Sequence, residues 1–527
     1  MNWFDNLLVH SPALVVATPL LAAFLTPLVS RIGDKARNIF VVVMIVVTSV
    51  VFGILGFDVL VHGPRIYIFG DSNLVLPVVR ILFEVDAFSI LFASIALLLA
   101  FVGSIYSLSF MKNQDGLDKY YTLLLLLLTS ILGMVLTGDL FNFFVFLEIS
   151  CIASCALIAF WVHRAEVFEA AFKYIVVSSI AALFVLFAIG LLYAQYNALN
   201  IATLANLLQY TYLDKITLVL FLGALALKAG LAPLHLWLPD SYGEAPPSIT
   251  IVIMGATMAS VYGVLRICFT LYGSVFTTIT PQTSIIVGWF IIALAVITII
   301  LGIFMALRQR DLMRLIAFAA VGEIGYIFIG VGVRLASATI DTANNISYPA
   351  YSVVALQGSI FHIFNDILDI GLLFLVAGAI YYVTKKRTLD DLQGLAHHMK
   401  FSTVFFIIGL FAVSGMPPFN GFDSKLMLYE STFQLNPILA IIEILFSILL
   451  LAVFVKVFYA VFMGPKPQTH EVLREVPKSM LVAMGFFAGL IIFIGVFPEF
   501  FLETIIQPAA HALLNHTQYI TTVLGGM

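Results

Sequence analysis

The sequence predicts an all-α integral membrane protein of about fourteen transmembrane helices, and three observations lead there. Of the 527 residues, 62% are hydrophobic and only 10% are charged, whereas soluble domains carry about 25% charged residues. Mean hydropathy is +1.10, and apolar runs long enough to span recur along the whole chain; one span takes about 20 residues. Basic residues concentrate in alternate loops. Such a chain cannot shield its apolar surface in water, so a soluble enzyme is excluded. The formal net charge of −4 points to no nucleic-acid partner, and three cysteines exclude a disulfide framework.

In order, the spans are predicted at about 12–30, 38–61, 83–109, 120–137, 140–162, 168–194, 215–237, 247–272, 285–306, 312–333, 350–383, 402–432, 437–463 and 479–500. The opening MNWFDNLLVHSPALVVATPLLAAFL has no basic region before its apolar stretch and reads as a retained first span. Segment 350–383 is long for one straight crossing, so a kink or tilt is expected. The mildly amphipathic tail after Phe501 reads as a surface helix. Loops after odd-numbered spans hold sixteen basic residues, and those after even-numbered spans hold four: Arg65, Arg80, Lys215 and Arg334. This asymmetry predicts odd loops in the cytoplasm, both termini outside, and a cytoplasmic-membrane location.

Two spans carry helix breakers. The seventh reads LALKAGLAPLHLWLPD, with Gly230 and Pro233; the twelfth reads LFAVSGMPPFNGFDSKLML, with Gly415, Pro417, Pro418 and Gly421. Proline removes a backbone donor and clashes with the preceding turn, so inside a bilayer such backbone survives only within protein or beside water. Discontinuous helices five spans apart predict two repeats, spans 4–8 and 9–13, the second inverted because each has an odd number of spans. Two independently kinked helices are the plainer alternative. The expected organisation is residues 1–111 for spans 1–3, 112–273 for the first repeat, 284–464 for the second, and 465–527 for the last span and surface helix.

Charge inside the spans marks where function is to be sought. Five basic residues lie there: Lys173, Lys228, Arg266, Lys425 and Lys456. Glu148 sits within GDLFNFFVFLEISCIASCALIAFW, where a carboxylate costs roughly 2.5–3.5 kcal/mol on insertion scales. Burial disfavours either charge alone, and approach stabilises both, so Glu148 with Lys228 reads as a protonation switch or as a static ion pair. Lys173 and Lys456 are equally readable as snorkelling side chains. The eleventh span, GSIFHIFNDILDIGLLFL, puts His362, Asp366 and Asp369 on one helical face with Asn365 alongside. That face reads as a proton path, a hard-cation site with Na⁺ near Asp366 and Asp369, or a polar helix interface. Glu323 has no visible partner in its own helix. Met254, Met258, Cys151 and Cys155 read as packing residues.

Several long stretches together resemble the antiporter-like family shared by Mrp-type cation/proton antiporters, respiratory complex I and membrane-bound energy-converting hydrogenases. They are TGDLFNFFVFLEI, FKYIVVSSIAALFVLFAIGLLYA, LKAGLAPLHLWLPDSYGEAPPS, RDLMRLIAFAAVGEIGYIFIG and SGMPPFNGFDSKL. The likeness runs from about span 3 to span 13 and is strongest to the D-type component of Mrp antiporters. It implies fourteen spans with inverted five-helix repeats, a coupled pair at Glu148 and Lys228, and Lys425 completing the path. The chain departs where the family usually places basic residues: Met254 or Met258 stands on span 8, Asp366 and Ile370 on span 11, and Glu323 replaces a glutamine or histidine on span 10.

The expectation is therefore a proton- or sodium-translocating subunit of a multisubunit complex. Proton uptake would begin beside His235 and pass through Glu148, Lys228 and the centre to Lys425. With no CxxC cluster, GxGxxG or GxxxxGK[ST], the chain is expected to hold no cofactor and no redox centre of its own. Its partners would be other membrane subunits, the lipid bilayer and a hydrophilic redox module. A non-transporting scaffold and a stand-alone solute transporter are the alternatives.

Overall fold

A computed structural model describes residues 3–70, 81–340, 346–464 and 474–525, which leaves Arg80 and loop residues 465–473 outside the described residues. The chain is helical almost throughout. Two long helices, α1 (Trp3–Ser30) and α2 (Asp34–His62), lead into a hairpin of β1 (Arg65–Ile68) and β2 (Leu82–Val85), paired antiparallel with Arg65 opposite Val85. Then come α3 (Ala87–Phe110), α4 (Leu117–Leu136), α5 (Leu140–Ile158), α6 (Ala165–Tyr196), the short α7 (Ile201–Leu207), α8 (Tyr212–Ala229), α9 (Trp237–Glu244) and α10 (Pro247–Arg266). The second half holds α11 (Pro281–Arg308), α12 (Leu312–Ala336), a small pair β3 (Thr339–Ile340) and β4 (Ile346–Ser347), α13 (Ala350–Thr384), α14 (Lys400–Val413), α15 (Gly421–Leu435) and α16 (Pro437–Phe462). It closes with α17 (Lys478–Val496), α18 (Pro498–Phe501), α19 (Gln507–Leu514) and α20 (His516–Gly525).

By length and composition, 13 helices among the described residues suffice to cross a membrane, counting Tyr212–Glu244 as one. The shorter α14 continues through an irregular stretch into α15, which makes the interrupted twelfth span expected from Pro417 and Pro418. The chain is thus a multi-pass membrane protein. Boundaries move where local chemistry intervenes. The third span begins at Ala87 rather than near 83, because 82–85 pair as a strand and the Asp86 carboxylate caps α3 by accepting from Ser89 N at 2.8 Å. The long eleventh span is one uninterrupted helix of 35 residues.

In a bilayer, helices carrying small and polar residues belong at the centre and the most apolar ones face lipid; α10 and α12, which carry Thr257, Ser260 and Glu323, are enclosed all round, whereas α1, α2, α6, α16 and α17 each present a broad apolar face outward. Small residues let the helices approach. A Cβ on Gly302 of α11 would collide with the Gly322 backbone nitrogen of α12. In the C-terminal tail α20 packs one face, with Tyr519 and Val523 buried.

Candidate functional site

The first break follows from two residues. Gly230 adopts φ +80° and caps α8, a conformation open to glycine, and Pro233 then prevents the helix from resuming before a single turn at Leu234–Leu236. The freed backbone is satisfied by protein: Ala232 N donates to Thr298 Oγ1 at 3.0 Å, and Trp237 Nε1 donates to Leu227 O at 2.9 Å. Lys228, just before the break, is 5% exposed and donates to Cys151 Sγ at 2.7 Å, with Tyr174 beneath it at 6.0 Å from Nζ to the ring centre.

The second break spans residues 414–420, opened by Gly415 at φ +69°. Neighbouring helices again satisfy the backbone: Ser447 Oγ donates to Ser414 O at 3.1 Å and Asn365 Nδ2 to Asn420 O at 2.9 Å. Gly421 restarts the helix where nothing larger fits, since its Cβ would collide with Ala412 O. Lys425 is 1% exposed, and its Nζ donates to Glu323 Oε1 at 2.9 Å and to Val413 O at 2.8 Å. The same ammonium lies 4.5 Å from the Tyr326 ring centre. Glu323 Oε2 stands 3.0 Å from His362 Nε2, and His362 Nδ1 is 3.2 Å from Ser424 Oγ. One buried carboxylate is thus held between an amine and an imidazole, and it can pass a proton to or from either.

The expected residues divide accordingly. Glu323, His362 and Lys425 meet, so Glu323 does have partners, contributed by α13 and α15. Asp366 and Asp369 are buried on the same face of α13, and both Asp366 oxygens and Asp369 Oδ1 lack a hydrogen-bond partner among the described residues. No group of three or more His, Cys, Asp or Glu side chains converges as a metal site among the described residues. Glu148 and Lys228 lie within reach of each other's charge but form no direct ion pair, so the static-pair alternative is not what the structure shows. Lys228 turns to Cys151, which is therefore more than a packing residue, while Glu148 is half-buried on the stripe of α5 whose exposed members are Phe141, Val145 and Ile152. His235 is buried beside the first break, its Nδ1 without a partner among the described residues. Met254, Met258 and Ile370 are buried in the apolar core.

Lys173 lies apart from this row. It is 44% exposed and pairs with Glu169 at 2.6 Å and Asp240 at 2.8 Å. Asp240 also binds Arg314 at 2.7 Å, and Glu244 takes Arg164 at 2.7 Å and Arg387 at 2.9 Å. This network ties α9 to α6, to α12 and to the segment after α13. Lys456 donates to Leu307 O at 3.1 Å from an exposed position. Arg266 is spent on structure: its Nη2 reaches Asp86 Oδ1 at 2.5 Å, its Nε reaches Tyr262 Oη at 2.9 Å, and Tyr519 covers it. Beside it in β2, burial first and the Asp86 charge second push the Glu84 carboxyl well above the usual range.

Sequence reasoning passed over Glu84, Asp86 and above all Glu443, a fully buried acid on α16. The signal was present, since Glu443 interrupts the apolar run PILAIIEILFSILL as Glu148 interrupts its own.

Interrupted helices, a buried acid–amine–imidazole group and a broadly apolar periphery define a polytopic membrane component of the antiporter-like type. Residues 137–451 match the family described as "NADH:quinone oxidoreductase/Mrp antiporter, TM", and the chain belongs to that family. It is 30% identical over 525 residues to the N-type component of the NADH-quinone oxidoreductase of Desulforudis audaxviator (strain MP104C), covering 95% of this chain and 98% of the relative. It is 28% identical over 517 residues to the D-type component of the Na(+)/H(+) antiporter of Bacillus subtilis (strain 168), covering 97% and 98%. Among solved structures, a chain of the membrane-bound sulfane sulfur reductase, an archaeal respiratory membrane complex, superposes with a TM-score of 0.83 at 25% identity, covering 97% of this chain and 99% of that one.

Proposed function

We propose that this chain translocates protons across the cytoplasmic membrane as one subunit of a larger complex. The observation that carries the reading is Glu323, 1% exposed and held between Lys425 and His362. Such a group costs stability in apolar surroundings and is rare without an ionic task. Protons would enter beside His235, reach Lys228, cross by Asp366 and Asp369 on α13, and arrive at the Glu323–Lys425 pair. Glu148, at the edge of the chain, would set the charge state of Lys228. If the host complex moves Na⁺, the unpartnered oxygens of Asp366 and Asp369 are where it would be taken up.

Support for a multisubunit host comes from the relatives, one a component of an antiporter and one of a quinone oxidoreductase. The partners would be further membrane subunits and, in an oxidoreductase, a hydrophilic redox module holding the cofactors. The loop charge asymmetry supports termini outside the cytoplasm. The division into spans 1–3, two five-span repeats at 112–273 and 284–464, and a C-terminal segment fits the matching breaks at 230–236 and 414–420.

The test is proton uptake by membrane vesicles containing the assembled complex. Glu323→Gln keeps shape and removes the ionisable group, and uptake should fall to the level of vesicles lacking the chain. Full uptake with an assembled Glu323→Gln complex overturns the reading.

A further inference from the structure

We propose that Glu443 of α16 accepts the proton that leaves the Glu323–Lys425 pair and is its last protein-held station before the end of the bundle where α15 gives way to α16. This rests on the proton-carrying role proposed above and adds the residue on its release side.

Glu443 lies on the buried stripe of α16 with Ala440, Phe446, Ser447 and Leu450, while Ile441, Ile444, Leu445 and Ile448 face outward. Neither of its carboxylate oxygens has a hydrogen-bond partner among the described residues. Buried polar groups that are part of the architecture are almost always bonded, so an acid with both oxygens free is not holding helices together. Thr432 of α15 faces it, its hydroxyl close to the carboxyl but outside hydrogen-bonding geometry.

Tyr326 links the acid to the relay. Its hydroxyl donates to the Glu443 main-chain carbonyl at 2.7 Å, and its ring carries the Lys425 ammonium at 4.5 Å. A single tyrosine therefore separates the amine from the segment that bears the acid. The charged and titratable groups facing Glu443 are Lys425 and Tyr429 from α15 with Tyr326 from α12. Those of the other packed helices, Arg308 of α11 and Lys400 of α14, sit at the opposite ends of their helices. Glu443 is the seventh residue of α16, about 9 Å from the start of that helix.

In the step proposed, an N–H bond of Lys425 breaks and an O–H bond forms at a Glu443 carboxylate oxygen. The electron pair stays on Nζ. Glu443 then loses the proton to water at the nearby helix end, and Lys425 recovers one from the His362 side through Glu323.

Glu443→Gln and Glu323→Gln are compared in vesicles holding the native complex. Glu443→Gln should lower proton transfer about a hundredfold or more, the low end of what a positioned acid–base group contributes, and Glu443→Asp should restore part of it. Infrared difference spectra of the purified complex should lose a protonated-carboxyl band in Glu443→Gln. Wild-type transfer in Glu443→Gln beside loss in Glu323→Gln overturns the role of Glu443 alone. Wild-type transfer in both overturns the underlying reading as well. Should Glu443→Gln fail to assemble, Thr432→Val leaves the acid in place and removes the hydroxyl that faces it. The pH profile of transfer should then shift, and an unchanged profile overturns the proposal.

Discussion

Each half of the chain pairs one acid-bearing helix with one broken helix that carries a lysine, and the two halves hold these groups differently. In the second, Glu323 of α12 and Lys425 of α15 are in contact at 2.9 Å, fully buried, with His362 completing the group. In the first, Lys228 of α8 is similarly enclosed but donates to Cys151, and Glu148 of α5 stands half-exposed with no ion-pair partner among the described residues. A thiol is a weak acceptor beside a carboxylate. The lysine of the first half is thus the less firmly held charge, and the acid best suited to hold it faces the rim of the chain. The two halves thus hold their lysines on different partners.

The largest effect should come from breaking the Glu323–Lys425 contact. Removing one partner of a buried pair strands the other charge and costs about 3–5 kcal/mol. Lys425→Ala leaves Glu323 with His362 alone, so the purified protein should lose stability on that scale and proton uptake together. A variant that keeps its melting temperature contradicts a tight Glu323–Lys425 contact. Glu148→Gln separates the two quantities. Its carboxylate has no ion pair among the described residues to lose and sits in a span where a charge is costly, so Glu148→Gln should strand no partner and should not lower stability. Uptake should still fall about a hundredfold or more, the low end of what a positioned acid–base group supplies. If thermal denaturation shows Glu148→Gln as damaging as Lys425→Ala, the halves do not hold their lysines differently.

How much of this was legible in the sequence follows from what each feature depends on. Span positions rest on runs of apolar residues, a local property, and α4, α8 and α16 begin within a few residues of expectation. The two breaks were legible because glycine and proline act on their own backbone. Partners were not. Glu323 looked solitary since His362 and Lys425 approach it from helices distant in the chain, and no periodicity within one helix encodes that. Glu148 and Lys228 were expected to meet because both are charged and deep. Which face of α5 turns inward depends on packing against α4 and α6, which is why Cys151 took the place expected of Glu148. Lys173 shows the reverse case: depth along the helix alone leaves its role open, and packing puts it at the rim with Glu169 and Asp240.

The smallest effect sharpens the comparison at the helix starts. Both acid-bearing helices begin with a capping aspartate: Asp139 accepts from Asn142 N at 2.7 Å, and Asp311 accepts from Arg314 N at 3.0 Å. Asp311 is neutralised by Arg387 at 2.9 Å, whereas Asp139 has no ion pair among the described residues, and burial pushes its carboxyl up to about 6. The sign follows from linkage. Below the ordinary 3.8 the group is protonated folded or unfolded and contributes nothing. As pH rises from there to about 6, only the unfolded chain ionises freely, so the folded state loses relative stability, and above about 6 the loss is constant. The gap between about 6 and 3.8 amounts to about 3 kcal/mol. Asparagine caps a helix as well as aspartate does but cannot ionise, so Asp139→Asn should match the parent near pH 4 and exceed it by about 1–2 kcal/mol at pH 8, the amide returning part of the gain as a weaker acceptor. Denaturation of the purified protein at the two pH values measures this. Equal stability at both would mean that Asp139 is neutralised as Asp311 is, and the two halves would differ only at their centres.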